Sequence, residues 1–336
     1  MAPKDDKGNL SRRDFIIAAG AAAAGLGALR TVAELQGGLE VRGFAQNDLS
    51  TGISIIHGDA GAEAAAEKEA EVVEAMTRRA VGALGGMEKL VNDGDTVVIK
   101  PNIAWVRPPR MATNTNPWVV AALVKMCLEA GAGTVKVMDN TISKNPANSY
   151  QASGIARAAR DAGAEVPYVA RERAMEMEIP EAQVLEKWVF CREFIDAAEC
   201  DVLINAPILK HHGTSKLSIG LKNGFGMVSG DRGKLHPEIH QKIPDLHRLL
   251  RVDLTVMDCY RVLRTHGPTG GSLEDVDSSV EGARRVVASR DPVAVDSYGA
   301  GMFGFEPPQI GFVKNAAEAG LGTAEWQGLD VTEETV

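Results

Sequence analysis

Between residues 52 and 169 the chain alternates short apolar, β-branched runs with helix-length segments, and this alternation restricts the fold more than any other feature. Gly52–Ile56, Thr96–Lys100, Thr134–Met138 and Glu165–Val169 read as strands. Residues 61–84, the stretch from Asn116-Pro117 to about Ala130, and residues 151–162 read as helices. Asn116 is a ready N-cap and Pro117 suits a first helical position, because that position has no intrahelical use for its N–H. Strands separated by helices pair in parallel through right-handed crossovers. The expected fold is therefore α/β: a mostly parallel open sheet with helices on both faces, two-lobed with a smaller mixed patch.

The pattern is looser after residue 170. Val189–Ile195 reads as a strand of the smaller patch, followed by Val202–Asn205, Leu254–Met257 and Arg284–Ala288. A helix is expected within 215–228, a short one over Pro244–Arg251, and another beginning at Asp291-Pro292. The last 35 residues read as helix and loop. Residues 50–310 are assigned to the α/β domain and 311–336 to a C-terminal helix and tail.

Polar residues terminate the apolar runs: Lys100 and Asn102, Asp139 and Asn140, Asn205 before Lys210 and His211, and Asp258. In an open parallel sheet, ligands bind in the crevice beyond the carboxyl ends of the strands. Residues 201–233 carry Lys210, His211, His212, Lys216 and Lys222 among six glycines, too much charge and too much glycine for an ordinary core segment. The three lysines are six residues apart, which is neither helix nor strand spacing. Folded back by the glycines, they would converge on a carboxylate or phosphate together with backbone N–H groups. Neither a Walker loop nor a dinucleotide-binding glycine pattern is present.

Six of the seven histidines fall between residues 211 and 266. His236 and His240 are four apart, the spacing of a two-histidine metal site on one helix face, and Asp258 or Asp296 would complete a set for a divalent transition metal. Pro244 is expected to break that helix near residue 240. The four cysteines, 127, 191, 200 and 259, form no C-x-x-C pair, so no iron–sulfur cluster is expected within this chain.

Net charge is -9, which gives no general attraction to nucleic acid, and the local basic cluster suits a small anionic ligand. Near the start, Ser11-Arg12-Arg13-Asp14-Phe15 precedes an Ala/Gly-rich apolar run ending near Leu29. Paired arginines before a mild apolar run resemble a twin-arginine export signal over residues 1–45, with Gly43-Phe44-Ala45 fitting a cleavage site. The expected partners are then the twin-arginine export machinery and a periplasmic redox protein, and the expected location is the periplasm or another exported compartment.

Several stretches together resemble the domain-of-unknown-function 362 family: VVIKPN at 97–102, VMDN at 137–140, INAPILKHH at 204–212, GLKNGFG at 220–226, DLHRLL at 245–250, GPTGG at 267–271 and SRDPVAVD at 289–296. The resemblance covers roughly residues 50–310. It implies that Lys100, Asn102, Lys210, His211, Lys222, Asn223, His240, Asp258 and Asp296 are the positions that matter. Many family members carry a fused ferredoxin module, and this sequence has no cysteine pattern for one.

Two function classes fit these readings. In the first, an enzyme acts on a small anionic substrate or cofactor. His211, His240, Lys210 and Asp258 do the chemistry, Lys100, Asn102, Asp139, Lys216, Lys222 and Asn223 bind the ligand, and His236, His240 and Asp296 hold a metal. In the second, the same pocket serves a non-catalytic cofactor-binding or assembly protein for a periplasmic redox complex.

Overall fold

The computed structural model describes residues 39–44, 49–59 and 66–336. The leader assigned to residues 1–45 falls largely outside the described residues. Arg42–Val336 form one compact unit; of Met1–Val41 only residues 39–41 are described. No described helix is long and apolar enough to cross a membrane.

The strands are β1 (Ile53–His57), β2 (Thr96–Pro101), β3 (Thr134–Val137), β4 (Met175–Glu178), β5 (Lys187–Phe190), β6 (Val202–Ala206), β7 (Ile208–His212), β8 (Lys216–Ser218), β9 (Leu254–Leu263), β10 (Val276–Asp277), β11 (Arg285–Ser289) and β12 (Val331–Thr335). The helices are α1 (Ala66–Gly82), α2 (Pro117–Glu129), α3 (Pro146–Ala152), α4 (Ile155–Asp161), α5 (Arg192–Ile195), α6 (Gly220–Asn223), α7 (Ile239–His247), α8 (Pro292–Gly301) and α9 (Gly311–Glu318).

The main sheet runs in the order β12-β1-β11-β9-β6-β2-β3. From β3 to β9 every pairing is parallel. Beyond β9 the sheet turns mixed: β11 is antiparallel to both β9 and β1, and β12 is parallel to β1. The long β9 also pairs with β7 and β10 past its middle, and β7 forms a hairpin with β8. Strands β4 and β5 make a separate antiparallel pair, the smaller patch.

Side chains of a strand alternate between faces, so one strand serves two cores. Val256, Val286 and Ala288 pack with α1, α2 and α4 on one face. Met257 and Val287 pack with α7, α8 and α9 on the other. This is the α/β sheet with helices on both faces.

Local signals explain several elements. Asn116 Oδ1 accepts the Trp118 N–H at 3.0 Å and caps α2, and Asp291 accepts from Val293 and Ala294, both at 2.9 Å, at the start of α8. Four expectations are corrected. Glu165–Val169 is no strand; Glu165 makes one isolated bridge to Lys136, because Pro167 removes a donor that a continuing ladder needs. Val189–Ile195 divides into the end of β5 and the short α5. The tail ends in a strand, β12, whose alternating residues pair along the edge of β1. Pro244 lies inside α7 rather than ending a helix. The carbonyl of His240, which the residue at 244 would normally engage, instead accepts from Asn315 Nδ2 at 3.1 Å.

Candidate functional site

Strands β2 and β6 lie side by side with Lys100 opposite Asn205, and both strands end together. Beyond that edge lies a cavity of about 310 Å³. Its polar wall comes from distant segments: Lys100 and Asn102 after β2, Asp139 and Asn140 after β3, Lys210 on β7, and Lys222 and Asn223 on α6. Trp105, Ile142, Phe225 and Pro268 supply an apolar wall.

A continuous polar network fixes the floor. Lys100 is 1% exposed; its Nζ sits 2.9 Å from Asp139 Oδ1 and donates to Asn223 Oδ1 at 2.7 Å. Asp139 Oδ2 accepts the Ile103 N–H at 2.6 Å, which holds the carboxylate in place. Asn223 is a hub: its Oδ1 also accepts from Asn102 Nδ2 at 2.9 Å, and its Nδ2 donates to Asn205 Oδ1 at 2.8 Å. Lys210 Nζ donates to Asn102 Oδ1 at 3.1 Å and to the Thr113 carbonyl. Lys222 is buried with its Nζ 4.7 Å from the Phe225 ring centroid, a cation–π contact.

Helix α6 is pinned at its start by Asp296 on α8, whose two oxygens accept from Gly220 N at 2.6 Å and Leu221 N at 3.0 Å. The Leu221 carbonyl takes the Nε2–H of His247 at 2.7 Å. These bonds aim Lys222 and Asn223 at the cavity. At Gly226 the backbone passes so close to the ion pair that a Cβ would lie 1.9 Å from Asp139 Oδ1 and 2.6 Å from Lys100 Nζ. Glycine is required there by close approach.

The charges do not balance. Among the lining residues Asp139 is the one carboxylate, set against Lys100, Lys210, Lys222 and Arg232. Burial, reinforced by Lys222, lowers Lys210 to about 7. Burial, with Arg232 and Lys100 adding, lowers Lys222 to about 8. Burial lowers Lys100 too, opposed by Asp139. His212 Nδ1 accepts from the Thr214 and Ser215 amides at 3.1 and 3.3 Å, so its proton sits on Nε2. Burial and the neighbouring Lys222 hold that imidazole down at about 3. Arg232 donates to the carbonyls of Asn140 at 2.6 Å, Phe225 at 3.0 Å and Thr141 at 3.0 Å, tying the loops after β3 and α6 together.

Residues 97–301 match the model of a family described as Domain of unknown function (DUF362). The chain belongs to this family. The matched span contains the whole polar wall of the DUF362 cleft, from Lys100 to Arg232. A thylakoid-associated protein of Synechocystis sp. is 27% identical over 256 residues, covering 72% of this chain and 73% of that protein. A solved structure of a Thermotoga maritima protein matches with a TM-score of 0.37 and 12% identity, over 57% of this chain and 51% of its own, so the chain spans about half the length of that protein.

The DUF362 cleft gathers Lys100, Asn102, Asp139, Lys210, Lys222 and Asn223. Other expected site residues lie elsewhere. His211 points away from Lys210 because neighbours on a strand face opposite sides; its Nδ1 accepts the Gly267 N–H at 3.1 Å. Lys216 is exposed and donates to the Gln309 carbonyl at 3.0 Å. Asp258 is buried behind the cleft, where its Oδ2 takes the Asn116 N–H at 2.7 Å and its Oδ1 the Tyr260 N–H at 3.0 Å; burial raises it to about 6.

The metal trio does not assemble. His236 ends a 3-10 turn, and α7 begins only after Glu238, which takes a left-handed conformation, so His236 and His240 share no helix face. His236 stacks on His212 with ring centroids 6.3 Å apart, His240 stacks on Phe312 at 6.1 Å, and Asp296 is engaged with α6. Among the described residues no group of three His, Cys, Asp or Glu side chains is arranged to hold a metal ion. The cleft adds His212, Arg232 and Phe225, which carried no assignment from sequence. His212 was accessible to reasoning: if residues 208–212 are a strand, Lys210 and His212 share a face.

Proposed function

We propose that this DUF362 chain binds a small anionic molecule in the cleft and acts on it as an enzyme. The observation behind the reading is the buried excess of positive charge: Lys210 and Lys222 line the cavity, and no carboxylate contacts either amine among the described residues. Burying unpaired like charges costs free energy, and a carboxylate or phosphate placed among them removes that cost. The cavity, about 310 Å³, stands at the lower end of small-molecule sites, which span roughly 300–1,000 Å³. The apolar side formed by Trp105, Ile142 and Phe225 favours a ligand with a short hydrocarbon portion beside its anionic group.

Isothermal titration calorimetry with acetate, inorganic phosphate, pyruvate and 2-oxoglutarate at constant ionic strength tests the reading. At least one should bind with one-to-one stoichiometry, and Lys222→Met should weaken it about tenfold or more, the loss of one charge-assisted contact. Heats indistinguishable from a chloride control for all four would overturn the proposal. The same reading extends to an exported protein carrying Arg12-Arg13 as its address. An Arg12→Lys, Arg13→Lys chain should then stay in the cytoplasm when the unaltered chain is exported.

A further inference from the structure

The three lysines of the cleft are held in different ways. Lys100 has a carboxylate, Asp139, at 2.9 Å. Lys222 faces the ring of Phe225. Lys210, 1% exposed, meets only neutral acceptors, Asn102 Oδ1 at 3.1 Å and the Thr113 carbonyl. Two acceptors match the two hydrogens of a neutral amine. With Cε and those two hydrogens in place, the fourth tetrahedral direction of Nζ belongs to the lone pair. A lysine kept from ionising by burial and by neighbouring cations is an amine nucleophile toward carbonyl carbon.

We propose that Lys210 forms an imine with the carbonyl group of a small 2-oxo acid whose carboxylate lies against Lys222. This rests on the anion-binding reading of the cleft and narrows it to carbonyl-bearing acids. In the step, Nζ bonds to the carbonyl carbon, the carbon–oxygen double bond is lost, and the oxygen departs as water with the two amine hydrogens. No oxidant or reductant is consumed. The Asn102 side chain, fixed through the Asn223 hub, sets the direction of the amine. Burial and the adjacent Lys222 put Lys210 at about 7, so a large share of it is unprotonated near neutral pH. Lys222, at about 8, keeps more of its positive charge for the carboxylate.

The test is reductive trapping on the full chain with sodium cyanoborohydride and either pyruvate or 2-oxoglutarate, followed by intact mass and peptide mapping. The expected product carries one adduct, heavier by the oxo acid less one oxygen atom, mapped to Lys210. Its formation saturates with oxo acid and speeds up as pH rises through about 7. Lys210→Met should abolish it, and mapping on the unaltered chain gives the same answer should that variant fold poorly. Adducts spread over surface lysines, or none at Lys210 with both acids, would overturn the imine. If any of acetate, phosphate, pyruvate and 2-oxoglutarate still binds by calorimetry in that event, the anion-binding reading survives; if none of the four binds, both readings fall.

Discussion

Lys100 Nζ lies 2.9 Å from Asp139 Oδ1, with both side chains buried beneath the cleft. Asp139 is therefore the counter-charge on which the lysine cluster depends. Asp139→Asn keeps an oxygen to accept the Ile103 N–H but removes that charge. Truncating one partner of a buried ion pair typically costs about 3–5 kcal/mol. Urea unfolding of Asp139→Asn should show a loss of that order. The double variant Lys100→Met, Asp139→Asn should recover part of it. A double variant as unstable as the single one would show that the charge pairing is not what the loss measures.

The lysines also set a pH dependence. Lys210 and Lys222, at about 7 and about 8, are below the ordinary lysine value of 10.5. Between those values the unfolded chain holds more protons than the folded one, so this contribution to stability grows as pH rises. Unfolding free energy measured from about pH 7 to about pH 9 should therefore show an upward component that Lys210→Met reduces and that Lys222 still supplies in part. A bound anion favours the charged amines, so binding takes up protons and weakens as pH rises across the same range. Calorimetry in two buffers of different ionisation heat reads that uptake directly; equal heats in both would refute the coupling.

Gly226 gives a steric probe that leaves every charge in place. A Cβ there would be 1.9 Å from Asp139 Oδ1 and would also meet Lys100 Nζ, while Asn140 N donates to the Gly226 carbonyl at 3.0 Å, so the backbone is tied to the same loop that it would clash with. Gly226→Ala must displace either the ion pair or the loop. Anion binding should fall at least tenfold, whereas Gly213→Ala, where a Cβ meets nothing within 4 Å, should bind normally. Matching affinities for the two variants would mean the loop yields without disturbing the cleft.

Half of the residues that reach the cleft as expected stand at strand ends, where strand periodicity and a Pro or Asn stop make them visible in sequence. Lys100, Asp139 and Asn102 are of this kind; Lys210, Lys222 and Asn223 stand out instead as charge and amide among glycines. What stayed hidden depended on pairing across long sequence separations. The run 208–212 does not announce itself as a strand, and a one-residue difference in register reverses which imidazole faces the cleft, His211 or His212. Asp258 and Asp296 were recognised as important polar positions, yet each spends its oxygens on backbone N–H groups, of Asn116 and Tyr260 and of Gly220 and Leu221. A buried carboxylate at a helix start and one at a ligand look alike in sequence. The tail strand β12 is not legible in sequence, because its partner β1 lies at the far end of the chain.

If residues 1–45 are a cleaved leader, Arg42 makes the position of the cut a matter of stability. It is 2% exposed and forms a buried pair with Asp253, while also donating to the carbonyls of Asp201 at 3.0 Å, Cys200 at 3.3 Å and Arg251. Asp253 in turn accepts the Leu203 N–H at 2.8 Å, so the pair anchors the start of β6. Cleavage after Ala45 would carry Arg42 away and leave the buried carboxylate without its guanidinium. A chain beginning at Gln46 should accordingly be less stable than one beginning at Leu39 by about 3–5 kcal/mol, the usual cost of breaking a buried pair. Arg42→Met in the longer chain should reproduce most of that loss, which separates the charge from the other residues removed. Urea unfolding of the three proteins decides the matter: equal midpoints for the Leu39 and Gln46 chains would make Arg42 dispensable and leave a cut after Ala45 energetically harmless.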